Sequence, residues 1–445
     1  MTERSAELRR ELGVGSAALL VVGGIIGSGI FFTPAEVARA LPSGGWIMTV
    51  WAIGGFLAFA GALTYAELGA MLPDAGGPYV YIRQAFGQLP AFLYGWMALM
   101  SIASGAIAAV AMGFAGYLGR FVDLSLLGGQ LAVAAATIVI LTITNVMGLK
   151  PGLVLQNVLT TAKIVALAVL VVGGLVAWAG LPEAPAVLNA PPPRESLVSG
   201  FAAAFVAVLF TIGGWQQMNM VAGEIRDPQR NIPRALFLGV AIVVAIYLGA
   251  NAVYLHTLGR DGLAASSAVA ADVMQRMVGP IGATFITAAA MLSILGFVNV
   301  AILSNSRLPY ALAVDGAFLR VAGRVHPRYA TPFVSILMLG GWSLVLLLGS
   351  KGRIVDLLSG VVFADWIFFG LGAASVFALR KQRPDLERPY RVLGYPVLPG
   401  LFVIAAAGGV ASAFIAAPVM SLVGCALLLV GVGVYFVTRQ KPEHH

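Results

Sequence analysis

A run of glycines lies in the middle of the first long apolar segment of the chain, where its backbone could bind a ligand. The run is Gly23-Gly24-Ile25-Ile26-Gly27-Ser28-Gly29. Each glycine weakens a helix by about 1 kcal/mol relative to alanine, and backbone groups freed in hydrocarbon are costly unless a partner satisfies them. The glycines therefore either let helices pack closely or mark a helix break whose bare amides and carbonyls hold a ligand.

A second glycine pair interrupts a later apolar segment in the same way. Gly213-Gly214 follows Phe210-Thr211-Ile212 and precedes the polar residues Gln216, Gln217 and Asn219. Glycine-interrupted spans in corresponding positions of two halves are the best sequence indication of a transporter binding site. The matching positions and the adjacent polar side chains therefore favour binding over close packing.

Two ionisable side chains lie inside apolar segments. Lys163 is too deep to reach the aqueous phase easily, and a lysine at the bilayer centre costs at least ~3 kcal/mol, so we expect it to be functional. Asp365, before Trp366, is predicted as a gate or proton site, or as a carboxylate hydrogen-bonded in a wet vestibule. Ser293 either contributes to the site or bonds back to its own helix. No cluster of Cys and His indicates a metal, and no nucleophile–base arrangement indicates an enzyme, so we expect neither a metal nor a cofactor.

The elements that position these residues are predicted membrane spans. Hydrophobic residues make up 59% of the 445 residues and charged residues 10%, against roughly 25% charge in soluble domains. A span needs about 20 apolar residues, and twelve segments meet this: 12–40, 45–72, 88–119, 127–148, 153–180, 198–225, 232–257, 281–312, 332–350, 354–380, 395–417 and 419–438. The predicted fold class is an all-α polytopic membrane protein of twelve transmembrane helices. The loops leave no room for an ATP-binding domain.

The positions of the basic residues predict the orientation of the spans. With the N-terminus inside, 19 Lys and Arg residues lie on the cytoplasmic side and 7 outside, and the remaining one of the 27 is Lys163. This bias predicts a multi-pass protein of the inner (plasma) membrane with both termini in the cytoplasm. Because the basic residues sit in short loops between spans, we expect no nucleic-acid binding.

Motifs spread over residues 13 to 333 lie in corresponding helices of one known superfamily. They are Gly27-Ser28-Gly29-Ile30-Phe31, Tyr65-Ala66-Glu67-Leu68, Pro73-x-x-Gly76-Gly77-x-Tyr79, Phe210-x-x-Gly213-Gly214-Trp215-x-x-x-Asn219, Glu224-x-x-x-Pro228-x-x-Asn231-x-Pro233 and Leu303-Ser304-Asn305-Ser306-Arg307. In these motifs the chain resembles the amino acid–polyamine–organocation superfamily, and within it the bacterial L-type amino acid transporter branch.

The resemblance implies a LeuT-type membrane domain built from two inverted repeats of five helices. The first repeat would comprise residues 1–180 and the second 198–380, with two further helices in 395–438. Helices one and six would be unwound at the midplane. The implied activity is sodium-independent exchange of small neutral L-amino acids by alternating access.

The resemblance also implies a role for each site residue. The substrate α-carboxylate would meet the amides of Gly27, Ser28 and Gly29. The α-ammonium would meet carbonyls around Ile25 and Ile26 in the first break and at Phe210 and Ile212 in the second. Gly213 would also belong to the substrate site, and the Phe210 ring would cover the substrate. Asn219 would tie helix six to its neighbours, and Glu67 and Glu224 would pair with arginines such as Arg226 or Arg307.

The lysine in helix five has an implied coupling role. Sodium-coupled relatives hold a cation between helices one and eight, and the Lys163 ammonium could stand in its place by donating to carbonyls near Gly24 and to Ser293. Phe297 departs from the family pattern by narrowing the space beside helix eight. Asp365 is a second departure.

The substrate is predicted to carry a small neutral side chain. No acidic residue lies in the breaks, and Phe297 and Met218 are expected to crowd the pocket. The alternative is proton-coupled uptake of an amino acid or amine, with Lys163 or Asp365 carrying the proton. A channel or receptor fits two broken helices less well. The expected partners are amino acid substrates and the lipid bilayer, with no obligatory protein partner.

Overall fold

The computed structural model describes residues 8–180, 191–194, 196–352, 354–416 and 418–438, and in these residues regular structure is helical, without a β-strand. Most of the predicted loop at 181–196 lies outside the described residues. The same holds for four basic residues that contributed to the predicted orientation: Arg4, Arg353, Arg439 and Lys441.

The helices of the first part of the chain follow the predicted segments. They are α1 (Val14–Ile25), α2 (Gly29–Ala40), α3 (Gly44–Met71), α4 (Pro78–Phe86), α5 (Gln88–Met97), α6 (Ala103–Leu118), α7 (Gly129–Val146) and α8 (Leu149–Val176). A single π-helical turn, Ala98–Ile102, joins α5 to α6, so that the two form one span.

The helices of the second part complete the architecture. They are α9 (Leu197–Ile212), α10 (Gln217–Met220), α11 (Pro228–Ala265), α12 (Val269–Val278), α13 (Pro280–Asn305), α14 (Arg307–Val314), α15 (Phe333–Gly349), α16 (Ile354–Gln382), α17 (Val397–Ala416) and α18 (Pro418–Thr438). In the described residues, eleven spans are long and apolar enough to cross a membrane, and α15 is a shorter apolar helix. The predicted fold class, an all-α polytopic membrane protein, is confirmed.

Several helix starts follow from local sequence. Pro78, Pro228 and Pro280 each stand in the first turn of α4, α11 and α13, where the missing amide of proline breaks no hydrogen bond and its fixed φ suits the helix. The loop between α11 and α13 contains the short helix α12.

Packing brings the two interrupted spans together. The helix α1 packs against α8, α11 and α13, while α2 packs against α9 and α11. The short helix α10 contacts both α1 and α13. The two breaks therefore meet inside the bundle, with α8 and α13 beside the first one.

Two buried carboxylates are each held by an arginine from a distant helix. Glu224 forms a bidentate pair with Arg307 at 2.7 and 3.0 Å, and both side chains are at most 1% exposed. Glu67 pairs with Arg380 at 2.9 and 2.7 Å and accepts the amide of Val392 at 2.7 Å. Both carboxylates pair with an arginine, as expected. The partner of Glu224 is Arg307, one of the two arginines named, whereas the partner of Glu67 is Arg380 on α16.

Candidate functional site

The first break opens the N-terminus of α2 towards a cavity. Helix α1 ends at Ile25 and α2 begins at Gly29. The Gly27 amide donates to the Ile25 carbonyl at 2.9 Å. The amides of Ser28 and Gly29 have no hydrogen-bond partner among the described residues. These are orphan donors of a helix start, and together with the positive end of the helix dipole they favour a bound anion.

The second break places free carbonyls on the opposite side. Helix α9 ends at Ile212, Gly214 has a φ of +101°, and the helix resumes at Gln217. The Gly214 amide donates to the Gln216 side chain at 3.0 Å. The Phe210 carbonyl, at the end of α9, accepts no hydrogen bond from the described residues. An orphan acceptor of this kind suits a cation.

Glycine is required where the two breaks touch. A Cβ on Gly24 would lie 2.6 Å from the Gly214 carbonyl oxygen, and a Cβ on Gly214 would collide with the Gly24 carbonyl. A Cβ on Gly29 would lie 2.5 Å from Thr211 Cγ2, and Thr211 Oγ1 is 2.6 Å from Thr33 Oγ1. The glycines thus serve both readings of the sequence, because close packing of the two backbones and helix unwinding occur at the same place.

The cavity between the breaks has a volume of about 100 Å³. Six of the predicted residues line it: Ile25, Gly27, Ser28, Gly29, Phe210 and Gly213. Phe297 and Asp365 line it as well. Phe210, which lines the cavity, is 40% exposed.

Several lining residues escaped the sequence analysis. Tyr94, Ala98, Ile102, Ala103 and Ala106 come from the span that contains the π-helical turn, a feature frequent at functional sites. Gln216, Gln217, Met220, Asn305, Trp366 and Phe369 complete much of the wall. Met218, expected to crowd the pocket, does not line it, and Met220 does. The polar run after Gly214 was the one available signal, for Gln216 and Gln217.

Lys163 lies behind the first break and is fully buried. Its Nζ donates to the Ile26 carbonyl at 2.5 Å and stands 3.4 Å from the carbonyls of Gly23 and Ser293. The Ser293 hydroxyl shares its one proton between the Gly27 carbonyl, at 3.0 Å, and the Ile26 carbonyl, at 3.2 Å. Donors from α8 and α13 therefore satisfy the carbonyls that the break frees.

Other predicted residues stand outside the cavity. Neither Ile26 nor Ile212 is among the described residues that line the cavity. The Ile26 carbonyl is instead held by Lys163 and Ser293. The expected contact of the Ile26 carbonyl with a substrate ammonium does not fit this placement, because that oxygen already accepts a hydrogen bond from Lys163 and lies within reach of the Ser293 hydroxyl. Asn219 Nδ2 lies 3.2 Å from the Tyr65 carbonyl and 3.0 Å from the Tyr81 hydroxyl, away from the cavity.

Comparison with known proteins gives one family and several full-length relatives. The family described as amino acid permease matches residues 12–440. The chain is 32% identical to the human large neutral amino acids transporter small subunit 2 over 98% of its own length and 82% of the relative's. It is 31% identical to the human b(0,+)-type amino acid transporter 1, over 98% and 89% of the two chains. It is 29% identical to the human cystine/glutamate transporter, over 99% and 88%.

Proposed function

The chain belongs to the amino acid permease family, and from this premise we propose that it exchanges small neutral L-amino acids across the membrane without sodium, by alternating access. It is an amino acid transporter and not an enzyme, as its sequence predicted. The observation that carries the proposal is the Lys163 ammonium, which occupies a cluster of carbonyls beside the broken helix.

The backbone of the two breaks recognises the part that all α-amino acids share. The α-carboxylate accepts hydrogen bonds from the free amides of Ser28 and Gly29, where the dipole of α2 adds to the attraction. The α-ammonium donates to the free carbonyl of Phe210 at the end of α9. Phe297, whose ring would lie 3.1 Å from a Cβ on Gly27, narrows the cavity beside the first break.

The Lys163 ammonium takes the place of a sodium ion, and this accounts for sodium independence. An ion between helices one and eight would need oxygen ligands, and here the Gly23, Ile26 and Ser293 carbonyls face an ammonium instead. A covalently attached cation cannot be carried across the membrane. It can therefore hold the break closed in every conformation, which suits exchange better than ion-driven uptake.

A counterflow experiment tests this proposal. Purified protein is reconstituted in vesicles loaded with unlabelled L-alanine, in choline buffer, and uptake of labelled L-alanine is measured. We expect uptake that needs internal amino acid and is unchanged when sodium replaces choline. Uptake into empty vesicles driven by an acid exterior would overturn exchange in favour of proton coupling.

The placement of the breaks supports an internal architecture of two repeats. We propose that residues 1–180 and 198–380 are inverted repeats and that 395–438 adds two helices to the same membrane domain. The support is that α1–α2 and α9–α10 are interrupted at corresponding points of two sets of five spans. A structural superposition of the two halves by a two-fold rotation in the membrane plane tests this.

We also propose an inner (plasma) membrane location with both termini in the cytoplasm. The chain has a single cysteine, Cys425, so Cys425→Ser gives a background for single new cysteines. Lys351→Cys should react with an impermeant maleimide on intact cells, and Lys381→Cys should react only after lysis. The reverse pattern would overturn the orientation.

The same vesicles test whether the chain needs a protein partner for transport. The name of one relative describes it as a small subunit. We propose that the present chain transports alone, because its described spans enclose the cavity without another chain. Counterflow by the purified single chain supports this, and counterflow that requires a second polypeptide refutes it.

A further inference from the structure

The carboxylate of Asp365 lies in the cavity without a partner. Among the described residues, none forms a hydrogen bond or ion pair with it, and no lysine, arginine or histidine lines the cavity. The buried carboxylates of Glu67 and Glu224, by contrast, are each held by an arginine. A charge enclosed without a partner is costly. Asp365 is therefore the one described carboxylate that the fold leaves available to a ligand in this cavity.

The position of Asp365 relative to the two breaks indicates which part of a ligand it can contact. Phe369 follows four residues later on the same face of α16, and its ring lies 3.9 Å from the place of a Cβ on Gly213. One helical turn separates the two side chains by ~6 Å along the axis. Asp365 therefore lines the same cavity as the second break, about one turn of α16 away from the residue that contacts Gly213.

The wall facing α16 is mostly apolar, with three alanines beside Tyr94 and Ile102. The π-helical turn and α6 both pack against α16, and Ala98, Ala103 and Ala106 line the cavity there. The alanines leave a passage for a methylene chain, and Tyr94 is the polar side chain that this span contributes to the wall. The passage therefore suits an aliphatic stem that ends in a charged or donating group at Asp365.

We propose that this site also binds cationic L-amino acids, and that Asp365 determines this specificity by pairing with the side-chain ammonium or guanidinium. The proposal rests on the proposed function, since the α-carboxylate and α-ammonium remain at the two breaks. A neutral side chain leaves Asp365 to water, and an acidic side chain is repelled. The chemical class is an L-amino acid with a basic group at the end of a straight chain.

The test compares L-ornithine with L-alanine as competitors in the alanine counterflow assay. In the unaltered protein both should compete. In Asp365→Asn, the ratio of the inhibition constant of ornithine to that of alanine should rise roughly 10- to 100-fold, the effect of losing one charged hydrogen-bonding partner. Asp365→Glu keeps the charge and should restore most of the ratio. Asp123→Asn is the matched control, because Asp123 accepts an amide in an exposed loop far along the chain from the cavity wall.

The outcomes separate this inference from the function it rests on. If alanine counterflow itself is absent, the proposed function fails. If alanine exchanges and ornithine does not compete, or if Asp365→Asn leaves the ratio unchanged, only the inference fails. A parallel loss of both competitors would place the α-ammonium at Asp365 and also overturn it.

A binding measurement covers the case of a variant that does not transport. The shift in Tm of detergent-solubilised protein on adding ornithine or alanine reports binding by each ligand directly. We expect Asp365→Asn to lose the ornithine shift and keep an alanine shift. An ornithine shift equal to that of the unaltered protein would refute the pairing.

Discussion

Replacing Lys163 tests whether its ammonium holds the first break together. Two variants are needed: Lys163→Met removes the donor and keeps much of the volume, while Lys163→Ala removes both. Gly296 on α13 would place a Cβ 3.5 Å from the Lys163 Nζ, so the lysine fills a tight space and an alanine would leave a void.

The magnitude follows from the contacts of the ammonium. Its one short bond goes to the Ile26 carbonyl at 2.5 Å, and the distances to Gly23 and Ser293 are 3.4 Å, too long to count as strong. A charged hydrogen bond is worth about 1.5–3 kcal/mol, and a buried acceptor left unsatisfied costs about 1–3 kcal/mol. The desolvation of the lysine itself offsets part of this. We therefore take about 3 kcal/mol, which is a factor of roughly 100 in an equilibrium.

The assay is the initial rate of alanine counterflow per mass of reconstituted protein in choline buffer. Both variants should be slower by about 100-fold, because the conformations with an ordered break become minor. Lys381→Ala, at an exposed position near the end of α16, is the control and should transport at the normal rate. A normal rate in Lys163→Met would refute the reasoning, and slowing confined to Lys163→Ala would assign the effect to packing alone.

Three further predictions follow from the same structure. Gly24→Ala places a Cβ 2.6 Å from a carbonyl of the second break and should reduce the rate of counterflow at least about tenfold. The control is Gly15→Ala, which has open space around it and should change the rate by less than about twofold. Equal rates in the two variants would show that the breaks can separate freely. Glu224→Gln weakens the buried pair with Arg307 and should destabilise the protein by about 3–5 kcal/mol, seen as a lower Tm in detergent; an unchanged Tm would mean that the pair adds no net stability. Phe297→Ala widens the cavity beside the first break and should improve competition by L-leucine relative to L-alanine by about tenfold. An unchanged ratio would show that Phe297 does not contact the side chain of the substrate.

The sequence by itself predicted the parts of this protein that depend on local composition. Span positions follow from hydropathy, and helix breaks follow from the low helix propensity of glycine, so both interrupted helices were visible in the chain. Lys163 stood out because a charge inside an apolar segment is costly wherever that segment packs. The family motifs then implied a site at Gly27, Ser28 and Gly29, and these residues do line the cavity.

What the tertiary structure alone decided is which groups meet across the bundle. Glu67 finds its arginine 313 residues away, and no periodicity in the chain pairs them. The Ile26 carbonyl turns towards Lys163 and Ser293 and away from the cavity, because donors on two other helices satisfy it there. Asp365 lines the cavity because α16 packs against the π-helical turn and α6. Hydropathy and motifs are properties of neighbours in sequence, whereas the direction of a carbonyl or carboxylate depends on partners that folding brings from elsewhere.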